Sequence, residues 1–147
     1  METTLILLKP DTIERSLIGQ VIARLEAKGL KITGLKMMQL DDAIIEEHYD
    51  FLMDKPFFPN IKKYMTRTPI VAIAAKGANA IATVRMLTGA TNPVEALPGS
   101  IRGDLALSID ANIIHASDTS ENAEIELNRF FKGTDIFTYN KLTDEVL

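Results

Sequence analysis

The sequence predicts an α+β fold of the ferredoxin-like kind: a four-stranded antiparallel sheet built on a βαββαβ core, with helices on one face, further helices added, and one long ordered loop. Three observations predict it. Short apolar runs alternate with stretches of helical period. Their order is β-α-β, extra helices, β-α, a long loop and β-α. The 147 residues contain no linker, charge block or internal repeat, which suits one domain over 1–147.

The elements follow in chain order. Residues 3–8 and 70–75 are apolar runs that read as buried strands. Residues 30–40 give another strand, in which Gly34 shifts the apolar phase and marks a bulge. Residues 112–117 give the fourth. Asp11 and Glu14 have capping-box spacing, and Leu17, Val21 and Leu25 continue the helix until Gly29. Asp42, Ile45, Tyr49 and Leu52 form a second helical stripe, and residues 60–66 a short third helix. Ile81, Val84 and Leu87 mark a fourth, stopped by Gly89. Asp118 and Glu121 open a fifth, whose stripe is Ala123, Leu127, Phe130 and Phe131. Residues 89–110 show little sign of regular structure, yet they carry Gly89, Gly99, Gly103, Pro93 and Pro98. Loops longer than about 12–15 residues are usually functional or disordered, and this punctuation indicates a shaped loop.

Composition removes several classes of function. Cysteine is absent, which excludes disulfides and thiolate metal sites. Two histidines are too few for a His-rich metal centre. The net charge of −4 argues against a general nucleic-acid binder but permits a nucleotide site built from a few convergent cations. The first residues lack the basic region of a signal peptide, and no run approaches the roughly 18 apolar residues of a membrane span. A cytoplasmic location is expected.

The segment 112–117 carries the chemistry. Strand alternation puts His115 and Ser117 on one face with Ile113, and the following helix brings Glu126, 11 residues on, back toward the imidazole. An imidazole, a hydroxyl and a carboxylate so placed resemble a nucleophile with its orienter. One ring nitrogen offers a lone pair near neutral pH, and the other holds a proton that a carboxylate can accept. Spacing alone does not separate this from a structural histidine. Lys9, Arg85 and Arg102 supply cations near the same elements, although G-x-x-x-x-G-K-[ST] and G-x-G-x-x-G are both missing. Phe57 and Phe58 follow Pro56 in an exposed-looking turn where one ring can stack on a base. Tyr49 reads as a core residue with a polar tip, and His48 as a surface histidine.

Asn112-Ile-Ile-His115-Ala-Ser117-Asp118 closely resembles the signature of the nucleoside diphosphate kinases, Asn-x-x-His-[Gly/Ala]-Ser-Asp. The likeness extends to Leu8-Lys9-Pro10-Asp11, to Glu47-His48-Tyr49 with Pro56-Phe57-Phe58, and to the blocks 89–93 and 98–104, all in the family's order and at its separations. The resemblance implies a ping-pong transfer of the terminal phosphoryl group from a nucleoside triphosphate to a diphosphate, through a phosphohistidine on His115, with broad base and sugar tolerance. It implies that Glu126 and Ser117 support His115, and that Lys9, Tyr49, Arg85, Thr91 and Arg102 surround the phosphates. Lys9 and Asn112 would reach the sugar, while Phe57 and Ile109 would enclose the base. It further implies Mg²⁺ held mainly by nucleotide and water, with Asp118 contributing through water, the delta nitrogen as the phosphorylated atom, and a homo-oligomer, tetramer or hexamer.

Departures from the family pattern are few. Thr12 stands where the family usually has Gly, which makes a positive φ there unfavourable. Ala116 stands where Gly is common. The tail ending in Leu147 differs from the longer aromatic tail of many relatives and leaves the oligomer size open. Two rival readings fit the same fold. An RNA-recognition module would need aromatic sheet strands, which are missing here. A phosphohistidine relay to protein partners would use the same His115 without a nucleotide pocket.

Overall fold

Four strands form one antiparallel sheet in the order β2-β3-β1-β4 in a computed structural model that describes residues 1–146. The strands are β1 (Glu2–Leu8), β2 (Lys31–Met38), β3 (Ile70–Gly77) and β4 (Ile114–Ala116). Helices α1 (Pro10–Glu14) and α2 (Ile18–Ala27) join β1 to β2. Helices α3 (Asp42–His48) and α4 (Phe58–Met65) precede β3, and α5 (Ala80–Thr88), α6 (Ile101–Leu105) and α7 (Ser120–Phe130) complete the chain order around β4. The ferredoxin-like order expected from the sequence is therefore the observed one. The tail position Leu147 lies outside the described residues.

Helices cover both faces of this sheet, not one. Ile6 and Leu8 of β1 pack with Val71, Ile73, Val21, Leu25 and Val84, under α2 and α5. Leu5 and Leu7 pack on the opposite side with Ile45, Phe58, Met65 and Phe130, under α3, α4 and α7. The unbroken run Leu5–Leu8 is the reason: a strand with no polar face must be buried on both sides. The added helices thus build the second layer of core. Gly34 sits at a register shift between Ile32 and Gly34, as the apolar phase predicts. A side chain at Gly34 would meet Phe131 and Ile136, so the bulge also lets the chain after α7 lie close.

Four local expectations change. Asp11 and Glu14 do not form a capping box; Lys9 is the N-cap of α1 without a side-chain bond, and Pro10 starts the helix. The helix breaks near Ser16, at φ 57°, and resumes at Ile18. Thr119, not Asp118, caps α7, accepting from Asn122 N. The loop 89–110 contains α6, capped by Ser100, whose hydroxyl accepts from Gly103 N. Gly103 has no room for a side chain, since a Cβ there would lie 2.0 Å from Leu97 O. Thr12 lies within α1, so it needs no positive φ.

Candidate active site

Strand β4 is only three residues long because Ile113, just before it, takes φ +61°. A β-branched residue in this region is an outlier that costs about 1–3 kcal/mol unless its surroundings hold it. Here they do. The buried Asp11 accepts from Ile113 N at 3.1 Å, and Ile113 O accepts from Lys9 N at 2.9 Å and from the Thr12 hydroxyl at 2.5 Å. The Tyr64 hydroxyl donates to the second oxygen of Asp11. The twist also breaks the expected alternation, so Ile113 packs with Ile6 and Leu8 instead of sharing the face of His115.

His115 pairs with Leu7 across the sheet and faces α3 and α7. Its Nε2 lies 2.5 Å from Glu126 Oε2. Burial pushes the Glu126 carboxyl up, but hydrogen bonding and charge from His115, with help from Ser117, outweigh it and hold it below the usual range. Ser117 is fully buried beneath the pair, and its backbone N–H donates to Leu5 O at 3.2 Å.

Two adjoining cavities share Lys9 and Tyr49 and form one groove beside this pair. The first, about 580 Å³, is lined by Arg85, Thr91, Arg102, Asn112, His115 and Glu126, with Asp118 at its margin. The second, about 590 Å³, is lined by Phe57, Tyr64, Arg67 and Ile109. Lys9 Nζ donates to Asn112 Oδ1 at 2.7 Å, and Asn112 Nδ2 donates to Thr91 O at 3.0 Å. Arg102 is buried on α6 and donates to the carbonyls of Asn112, Gly89 and Ile114 at 3.2, 3.2 and 2.6 Å. It therefore ties the loop to β4. Arg85 reaches Ala116 O at 3.4 Å.

The electrostatics mark the first cavity as a place for anions. Burial, then the nearby Arg102, lowers the Lys9 ammonium to about 8. Burial, then Arg85, lowers the Arg102 guanidinium to about 10. Cations that crowd one another at the cost of their own proton affinity are relieved by a polyanion. Burial, then Glu126, raises the Tyr49 phenol to about 12, so it is a neutral hydrogen-bond donor.

An imidazole with its carboxylate, a cationic cavity and an aromatic-walled cavity lie in one groove, and the comparisons with known proteins identify the family. Residues 2–136 match the family model described as nucleoside diphosphate kinase. The chain is 48% identical over 145 residues to a nucleoside diphosphate kinase of Roseiflexus castenholzii, covering 99% of this chain and 97% of the relative. It is 51% identical over 139 residues to that of Parabacteroides distasonis, covering 95% and 91%. The solved structure of a halophilic nucleoside diphosphate kinase from Halobacterium salinarum in complex with CDP superposes with a TM-score of 0.94 at 38% identity, covering 98% of this chain and 96% of that one. The chain belongs to the nucleoside diphosphate kinase family. Its reaction is the family's: a nucleoside triphosphate gives its terminal phosphoryl group to an enzyme histidine, and a nucleoside diphosphate takes it away. As a kinase of this family it needs a divalent cation.

Every residue expected at the site lines the groove except Ser117, which supports it from below. Of the pair after Pro56, Phe58 is buried in the core and Phe57 is 47% exposed at the groove. Sequence reasoning misplaced His48, which is buried and stacks edge-on against His115, ring centroids 4.9 Å apart. A helical period of three from Ile45 puts position 48 on the inward stripe of α3, and that signal was readable. Asp11, Tyr64 and Arg129 were also missed. Their roles depend on contacts between distant segments that no local pattern records.

Proposed function

We propose that Nδ1 of His115 is the phosphorylated atom, with Glu126 as its orienter. The observation that carries this reading is the 2.5 Å contact between His115 Nε2 and Glu126 Oε2, which engages one ring nitrogen and leaves Nδ1 for phosphorus. In the forward half-reaction the Nδ1 lone pair forms the N–P bond as the bond from phosphorus to the β–γ bridging oxygen breaks. The diphosphate departs, and the positive charge on the ring is shared through Nε2–H with Glu126. Lys9, Arg85 and Arg102 take up charge on the phosphate oxygens, with Tyr49 and Thr91 alongside, so catalysis is positioning plus electrostatics. Lys9 and Asn112 hold the sugar, and Phe57 and Ile109 sandwich the base. CDP in the Halobacterium salinarum structure supports a nucleotide in this groove.

The cation is proposed to be Mg²⁺. The donor set fits an ion carried by the nucleotide: Glu126 is engaged by His115, and Asp118 at the cavity margin keeps an ionised carboxyl, its proton affinity lowered first by the Asn122 side chain. Asp118 would hold the ion's water, in keeping with the reluctance of magnesium to dehydrate. When bound, the ion screens phosphate charge and fixes phosphate geometry. The chain is also read as one domain, cytoplasmic, and a homo-oligomer. Leu35 and Met37, more than half exposed on the edge strand β2, support assembly, and no described helix is long and apolar enough to cross a membrane.

Incubation with terminally labelled ATP tests the reading. The protein should acquire an acid-labile, base-stable phosphate and pass it to several diphosphates. Labelling unaffected by His115→Ala would overturn the assignment, and label retained in the presence of diphosphates would favour a relay to proteins.

A further inference from the structure

Glu126 lies near two imidazoles. His115 Nε2 is 2.5 Å from Oε2, and His48 Nδ1 is 3.7 Å from the same oxygen. Two rings that could each present an N–H to one carboxylate oxygen would compete for it. Their relation is decided by a third residue, Arg129 on α7, whose Nη1 lies 2.8 Å from His48 Nδ1.

Arginine has donors and no acceptor, so Arg129 donates in this contact and His48 Nδ1 is the bare nitrogen. A neutral imidazole then carries its proton on Nε2. His48 stays neutral, since burial, then the neighbouring His115, lowers its pKa to about 3. It is fixed in place as well, packed edge-on against Tyr49, His115 and Phe130. Arg129 is itself held: its side chain is 12% exposed, and Nε lies 3.3 Å from Glu47 Oε1, an ion-pair distance without hydrogen-bond alignment. A bare Nδ1 offers Glu126 nothing to accept.

We infer that Arg129 is a positioning residue: by donating to His48 Nδ1 it holds His48 in the tautomer that cannot bond to Glu126, and so reserves that carboxylate for His115. The inference rests on the reading of His115 as nucleophile and Glu126 as its orienter. Without the arginine, the Nδ1–H tautomer of His48 becomes available, and a small ring shift closes 3.7 Å to a hydrogen bond. Glu126 is then divided between the two rings, and the His115 ring is less often aligned.

The experiment is nitrogen NMR of the histidines in the full-length protein, together with phosphoryl-transfer rates. In the wild type, His48 should show a bare Nδ1 and a protonated Nε2. In Arg129→Leu the proton should move to Nδ1, and kcat should fall roughly ten-fold, the scale of losing an outer-shell orienting contact. Arg129→Lys keeps a donor and should retain the wild-type tautomer. The double variant His48→Phe/Arg129→Leu removes the competitor, and its kcat should recover to within about three-fold of wild type, a non-additivity that neighbours in one network show. An unchanged His48 tautomer in Arg129→Leu, or a loss of rate that His48→Phe does not restore, would overturn the inference. Those results leave the nucleophile untouched, because labelling lost in His115→Ala reports on it separately.

Discussion

The two halves of the groove, which the proposed function assigns to the phosphates and to the base, are built on opposite plans. The phosphate half is a network: Lys9, Asn112, Thr91 and Arg102 bond to one another or to the loop and β4 backbone, and Arg102 and Asn112 are buried. The base half is a pair of loosely held apolar walls, Phe57 at 47% and Ile109 at 55% exposure. A network fixes atoms to within a few tenths of an ångström and discriminates by geometry. Walls that stack on a ring face read little of its edge pattern. On that assignment, differential binding in the transition state belongs to the first half, and uniform binding to the second. On the proposed reading, that division would let one site be exacting about a phosphoryl group while tolerating many bases.

The sharpest way to break the comparison is at Arg102. Replacing it with Met removes a cation from the proposed phosphate site and strands the carbonyls of Gly89 and Ile114, while Asn112 O keeps Ile114 N at 2.7 Å. Buried carbonyls left unpaired cost about 1–3 kcal/mol each, and loss of one preorganised donor costs on the order of 10²–10³ in kcat. Both stability and rate should fall. Lys at this position should rescue little, since it cannot span three carbonyls from one plane. Denaturant midpoints and steady-state rates check this, and wild-type stability in Arg102→Met would show that the loop does not depend on the network.

Asp11 comes next. Asp11→Ala leaves Ile113 at positive φ with its amide unpaired, and the turn from Asn112 into β4 should relax. Misplacing the nucleophile strand by a fraction of an ångström should lower kcat/KM roughly 30-fold. Glycine adopts φ > 0 freely. The double variant Asp11→Ala/Ile113→Gly should therefore recover part of the rate, and no recovery would place the role of Asp11 elsewhere.

These two residues also show what the chain disclosed in one dimension. Arg102 was visible as a cation in a motif-bearing loop, and the strands were visible as apolar runs. His115, Glu126 and the groove residues followed from the Asn112–Asp118 block and its companions. Asp11 was read as a helix cap because its spacing to Glu14 fits one. Its partner instead is 102 residues away, and the strained φ of Ile113 is set by that long-range bond. Helices on both faces were implied by Leu5–Leu8 having no polar side, a pattern that a one-faced sandwich cannot satisfy. His48 was hidden because a histidine beside Glu47 looks solvated, although its period is inward.

A third prediction uses pH to separate the halves. Lys9 is lowered to about 8 by burial and by Arg102, so the free enzyme loses this positive charge as pH rises through 8. Deprotonation weakens phosphate binding, and kcat/KM, which reports free-enzyme groups, should fall up to about ten-fold per unit above that point. Lys9→Arg stays charged throughout, so its profile should remain level over the same range. A wild-type kcat/KM that is flat from about pH 7 to 10 would remove Lys9 from the phosphate half.

The smallest effect is expected at Phe57, and its uniformity matters more than its size. Replacing the ring with Ala removes one wall of the base half while the phosphate network stays intact. Stacking of a base on an aromatic ring is worth about 1–3 kcal/mol, and an exposed ring gives the low end, about five-fold in KM. The loss should appear in KM with kcat nearly unchanged, the signature of uniform binding. It should also be similar for purine and pyrimidine diphosphates, slightly larger for purines because they offer more ring area. A KM that rises for one base alone would mean that Asn60 or Arg67, which share this cavity, reads a base edge. The base half would then be a second network, and the tolerance argued from its apolar walls would fail.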